Sequence, residues 1–146
     1  MRNTLLLVAF FTALALTTGC GDGKLATIVV TGTVTYDGSP LDGASITFSP
    51  KGDGHAAFGV TDTNGRYTLQ TILGSPDAGT TPGDYAVQIE KFEVLPPLSE
   101  EELARGVQPP SPKRLIPERY ADYATSGLAA TVKKGEKNEF NFDLMK

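Results

Sequence analysis

Tryptophan is absent from the chain, and cysteine and histidine occur once each, as Cys20 and His55. A single cysteine cannot form a disulfide within one chain, so the core must hold the fold alone. One histidine without further thiols cannot supply the three or four nitrogen or sulfur ligands of a zinc site. A Ser-His-acid triad would have to use His55. That residue lies in a Gly-rich loop at the start of a strand, opposite in parity to Phe58, and reads as a solvated side chain. Positive charge is also scarce. From Cys20 onward there are 12 basic residues against 17 acidic ones, a balance of −5, which argues against a nucleic-acid partner. No catalytic, cofactor-binding or metal-ligating set emerges, and the chain is read as a non-enzyme without a cofactor.

The longest apolar run stands at the start. Arg2 is followed by LLLVAFFTALAL over residues 5–16, then by Thr17, Thr18, Gly19 and Cys20. A basic start, an apolar run of about 7–15 residues and a small-residue site describe a secretory signal peptide. The run is shorter than the roughly 20 apolar residues that a membrane span needs. Cys20 directly after Gly19 resembles the lipobox of bacterial lipoproteins, with Thr17 where Leu is usual and Leu16 one place further out. The resemblance implies that Cys20 is lipidated and becomes the mature N-terminus. A signal peptide with an incidental cysteine is the alternative. The expected organisation is a signal peptide over residues 1–19, a lipidated tether over 20–26, and one domain over 27–146.

Within that domain, apolar residues alternate between turn signals. The inward faces read as Ile28, Val30, Val34 and Tyr36; Ala44, Ile46 and Phe48; Ala56, Phe58 and Val60; Tyr67, Leu69, Thr71 and Leu73; Tyr85, Val87 and Ile89; Leu128, Ala130 and Val132; and Phe140, Phe142 and Leu144. Gly32 falls on the apolar face of the first run, where a bulge or close backbone approach is expected. DGSPLDG over residues 37–43 is a turn, and Asn64-Gly65 reads as a hairpin turn with positive φ at both positions. Seven short runs of period two predict an all-β fold, a seven-stranded antiparallel Ig-like (prealbumin-like) β-sandwich.

Residues 93–126, between the fifth and sixth strands, are too long for an ordinary connection. They carry Pro-Pro at 96–97 and 109–110, and a capping-box pattern from Ser99 to Glu102 that predicts a helix of at most two turns before Gly106. RLIPERYADY over residues 114–123 restores apolar and aromatic residues and is expected to lie across the sandwich on Leu115, Ile116 and Tyr120.

Residues 32–34 (Gly-x-Val), 40–44 (Pro-Leu-x-Gly-Ala), 61–67 (Thr-Asp-x-x-Gly-x-Tyr) and 82–85 (Pro-Gly-x-Tyr) together resemble the carboxypeptidase regulatory-like, or transthyretin-like, β-sandwich domain. IPERYADYATSGLAATV further resembles a segment of small bacterial lipoproteins that carry this domain. The motifs are turn and core residues, so they speak to fold more than to function. The transthyretin-like hydroxyisourate hydrolase would require several histidines and a C-terminal Tyr-Arg-Gly-Ser. This chain has His55 alone and ends FDLMK, so that activity is not expected. The segment Asp62-Thr63-Asn64-Gly65 reads as a turn held by the Asp62 side chain. The competing calcium loop needs further oxygen ligands and a Glu at its twelfth position.

Two functions remain. One is a non-catalytic, exported lipoprotein, anchored through Cys20 at the periplasmic or surface face of a bacterial membrane. There it would serve as a binding or assembly module of the cell envelope, with an envelope protein or glycan as partner. The other is a carbohydrate- or small-ligand-binding lipoprotein serving a transport or degradation system, which exposed aromatics would favour.

Overall fold

The computed structural model describes residues 27–71 and 79–146. The expected signal peptide, Cys20, the tether and Leu73 lie outside the described residues. The fold is all-β, two sheets packed face to face with almost no helix. The first sheet is built on β1 (Val30–Tyr36), which pairs antiparallel with β2 (Ser39–Pro40) and with β5 (Arg66–Thr68). It also pairs with β9 (Asn138–Glu139) and β10 (Phe142–Leu144), and both of these run parallel to it. The second sheet has the order β6 (Gln70–Thr71), β4 (Ala57–Val60), β3 (Ser45–Pro50), β7 (Gly83–Glu90), β8 (Leu128–Val132), antiparallel throughout.

Each of the seven expected runs carries strand. The structure corrects their number and sense. The run that begins near Tyr67 is broken into β5 and β6, Asn138–Glu139 adds a strand ahead of the run from Phe140, and Ser39–Pro40 adds another, giving ten among the described residues. The two parallel pairings of β1 mean that the sandwich is not wholly antiparallel.

Alternation places Val30, Val34, Ile46, Phe48, Tyr67, Leu69, Tyr85, Val87, Ile89, Val132 and Leu144 in one buried core, as the pleat of half-buried strands requires. Phe48 is its centre. Its ring lies 5.9–6.4 Å, centroid to centroid, from those of Tyr67, Tyr85, Phe140 and Phe142, tilted or edge-on as aromatic quadrupoles prefer. The third strand departs from expectation. Ala57 is buried, whereas Phe58 is 39% and Val60 63% exposed, so β4 presents the opposite face to the one read from sequence.

The Gly32 expectation holds. A Cβ at position 32 would overlap the Phe140 carbonyl and press on the Tyr67 ring. That carbonyl crosses over Gly32 because it accepts the Tyr67 hydroxyl at 2.8 Å, and burial pushes the Tyr67 phenol up, which keeps it a donor. Between β9 and β10 the ladder is completed by a side chain instead, since the Thr33 N–H and Oγ1 both donate to Asn141 Oδ1.

The long connection leaves the sandwich through a narrow neck. Residues 91–93 and 113–115 run side by side, with the Glu93 N–H donating to the Lys113 carbonyl and the Leu115 N–H to the Lys91 carbonyl. Arg114 closes the neck, 2.9 Å from Glu90 and 4.7 Å over the Phe92 ring. Beyond it, residues 94–112 contain no buried side chain. They include α1 (Glu100–Ala104), whose Ser99–Glu102 capping box forms as expected. The return segment packs back. Ile116 and Tyr120 are buried, but Leu115 is 46% exposed, contrary to expectation. Extended backbone at the neck points Arg114 and Ile116 one way and Leu115 the other.

Two stability outcomes follow from this packing. Phe48→Ala should cost about 3–5 kcal/mol, and Phe58→Ala less than about 1 kcal/mol, in chemical denaturation; equal costs would show that β4 is placed on the wrong face. Replacing residues 94–112 with a short Gly-Ser linker should leave a cooperative melt near the wild-type midpoint. Its loss would show that the sandwich depends on the connection.

Candidate functional site

The strand run 66–71 belongs to both sheets, and a groove opens where it changes sides. Its entry is the turn over residues 62–65. Asp62 Oδ1 accepts the Asn64 and Arg66 N–H groups at 2.8 and 2.9 Å, and the Asp62 carbonyl accepts the Gly65 N–H. Gly65 alone takes positive φ, at 72°, since Asn64 does not. A Cβ on Gly65 would strike the Val34 carbonyl, so glycine is required by both space and φ. Just before the turn, Thr61 is buried. Its hydroxyl donates to the Leu41 carbonyl at 2.6 Å and accepts the Ala44 N–H at 2.8 Å, tying the 37–43 turn to β4.

After the turn the chain does not pair back along β4 at once. Residues 66–68 pair with β1, the Leu69 N–H donates to the Val30 carbonyl, and only Gln70–Thr71 rejoin β4, opposite Phe58 and Ala57. The splayed hairpin leaves a groove of about 830 Å³. Phe58 and Val60 stand out of β4 along it. Phe58 is flanked by its register partners Thr47 on β3 and Gln70 on β6, and Val60 by Ser45. Asp62, Arg66 and Thr68 line the other end. The Asp62 carboxylate is engaged by the turn. The Arg66 guanidinium makes no ion pair or hydrogen bond with any described residue. Thr71 also lines the groove, and its buried hydroxyl has no hydrogen-bond partner among the described residues.

This site was not singled out in the sequence, because Phe58 read as core. His55 is half-buried in the loop before β4, and its carbonyl accepts a 3.4 Å hydrogen bond from Thr80 Oγ1. Cys20 lies outside the described residues. Among the described residues no three His, Cys, Asp or Glu side chains are grouped to hold a metal, and no helix is long and apolar enough to cross a membrane.

No protein-family model matches the chain, and no curated protein matches it. Among solved structures it is similar to a 9R-lipoxygenase from Cyanothece PCC8801, at 15% identity and a TM-score of 0.39. The match covers 83% of this chain and 16% of that one. At that level the likeness carries no argument about fold or activity.

Asp62→Ala should lower stability by about 1–2 kcal/mol, because two N–H groups lose a charged acceptor. Asp62→Asn should recover part of the loss, since its Oδ1 still accepts. Millimolar calcium should leave the wild-type melting temperature unchanged. A calcium-dependent rise would overturn the turn assignment.

Proposed function

We propose that the chain is a non-catalytic binding module of the bacterial cell envelope, exported and tethered to a membrane by lipid on Cys20. Its sandwich would be of the transthyretin-like, Ig-like kind that the motifs at residues 32–34, 40–44, 61–67 and 82–85 resemble. The observation that carries the binding role is the groove over β3, β4 and β6. Two exposed apolar side chains, two flanking polar ones and a guanidinium that forms no ion pair among the described residues share one concave surface. Register turns Phe58 and Val60 outward on β4, which leaves both side chains available to a ligand in the groove.

The same observation favours the small-ligand reading over protein assembly. A groove of about 830 Å³ falls within the roughly 300–1,000 Å³ of small-molecule sites, which combine apolar walls with a few polar groups. The sequence lowered this option because its aromatics read as core, and Phe58 restores it.

Membrane attachment rests on the apolar run over residues 5–16 that leads into Gly19-Cys20. One acyl chain gives only marginal binding, so the diacylglyceryl group that the lipobox resemblance implies is what would make anchoring stable. Seven residue steps separate Cys20 from Thr27, a reach of at most roughly 25 Å, which would keep the sandwich close to the membrane face. Cells making the wild-type protein should incorporate labelled fatty acid into it and retain it in the membrane fraction. Cys20→Ser should abolish labelling and release the protein, or leave an uncleaved precursor. Wild-type protein that takes up no label and is found free in the culture fluid would sink the anchor.

A further inference from the structure

Resting on the binding-module reading, we infer that the groove takes an acidic oligosaccharide, with a sugar ring stacked on Phe58 and a carboxylate of the neighbouring sugar on Arg66. Register fixes the floor. The row Thr47, Phe58, Gln70 runs across three strands, and Ser45, Val60 forms the next row. Directly opposed residues on a sheet face have Cβ atoms about 4.5–5.5 Å apart. Phe58 therefore stands between a hydroxyl and a carboxamide within reach of anything resting on its ring. A pyranose has that pattern, with C–H groups on its face and hydroxyl groups around its rim. A flat apolar ligand would leave Thr47 and Gln70 without partners. An extended peptide adding to a sheet edge would use backbone groups and would not need this row.

The charge comes from Arg66. Its carboxylate neighbour Asp62 is occupied by two backbone N–H groups, and the guanidinium has no partner among the described residues. A planar guanidinium pairs best with a carboxylate or phosphate, through two parallel hydrogen bonds. Arg66 is four residues from Gln70 along the strand run, about 13 Å at 3.3 Å per residue. That is the upper bound of the separation along the strand, and it suits a ring and a charge carried by adjacent sugars.

The probes are oligogalacturonate, neutral cello-oligosaccharide of the same length, and galacturonic acid monomer, titrated calorimetrically against the purified chain. Oligogalacturonate should bind roughly tenfold or more tightly than the neutral chain, the usual worth of a hydrogen-bonded charge pair, and the monomer should bind weakly. Arg66→Gln should remove the acid preference and keep the neutral binding. Phe58→Ala should remove both. Both side chains are exposed, so both variants should melt like wild type. Equal affinity for acid and neutral chains, or an Arg66→Gln variant that keeps the preference, overturns the carboxylate assignment. Binding untouched by Phe58→Ala overturns the groove. If no glycan binds, but wild-type protein and not Phe58→Ala cross-links to an envelope protein on its own membranes, the saccharide inference is lost and the binding-module reading stands. If neither occurs, both are lost.

Discussion

Tyr67 donates its hydroxyl to the Phe140 carbonyl across the bare α-carbon of Gly32, and this contact organises both sheets. It joins β5, β1 and the stretch between β9 and β10 in one layer of contacts. The Tyr67 ring then packs 6.4 Å from Phe48, which belongs to the other sheet. With Tyr67 held against β1, the strand run after the turn cannot lie flat along β4. It must cross the sandwich before Gln70 and Thr71 pair with β4. The crossing separates β4 from β5 and leaves Gly59 facing inward, where its space is limited by the Thr68 carbonyl at 3.0 Å. The groove and its exposed Phe58 are thus consequences of how the core is closed.

The opposite end of the molecule is held by different chemistry. Arg119 donates to the carbonyls of Met145 and Lys146 and lies 4.6 Å over the Tyr120 ring. The Met145 N–H and Arg119 both donate to the Tyr120 hydroxyl oxygen, which holds that phenol below the usual tyrosine range. Lys146 reaches Asp37 through both its backbone and its ammonium. The return leg of the long connection therefore clamps the end of β10 onto the β1–β2 turn, while residues 94–112 stay outside the neck. Length alone made 93–126 look like one excursion. Its burial divides it into an exposed loop and a structural clasp.

Most of the fold was legible because burial on one face forces alternation, and alternation is local. Ile46 and Phe48, Tyr85 to Ile89, and Phe142 to Leu144 needed only period two. The Ser99–Glu102 capping box and the Gly65 turn needed only their own side chains. The parallel partners of β1 were not legible, since Val34 meets Phe142 with most of the domain between them in sequence. The missed site is more instructive. Taking Phe58 as core followed hydrophobicity. The Asn64-Gly65 turn already implied the opposite, because a hairpin that pairs 62 with 66 opposes 60 to 68 and 58 to 70. Opposed residues share a face, so an inward Tyr67 and Leu69 require an outward Phe58. Leu115 fails for the same reason, one residue out of phase with Ile116.

An acidic chain that takes an acidic ligand needs its attraction to be local. The net charge of the chain from Cys20 onward is −5, but at physiological salt the screening length is about 8 Å. Carboxylates elsewhere on the sandwich then act weakly on a ligand in the groove, whereas a contact with Arg66 lies well inside that distance. The same screening governs the membrane. An anionic bilayer surface repels an acidic domain only within a similar distance. Electrostatics would therefore neither hold this domain to a bilayer nor drive it far away. In the proposed arrangement the lipid on Cys20 alone supplies attachment, a short tether sets the height, and the repulsion keeps the sandwich from lying flat on the headgroups.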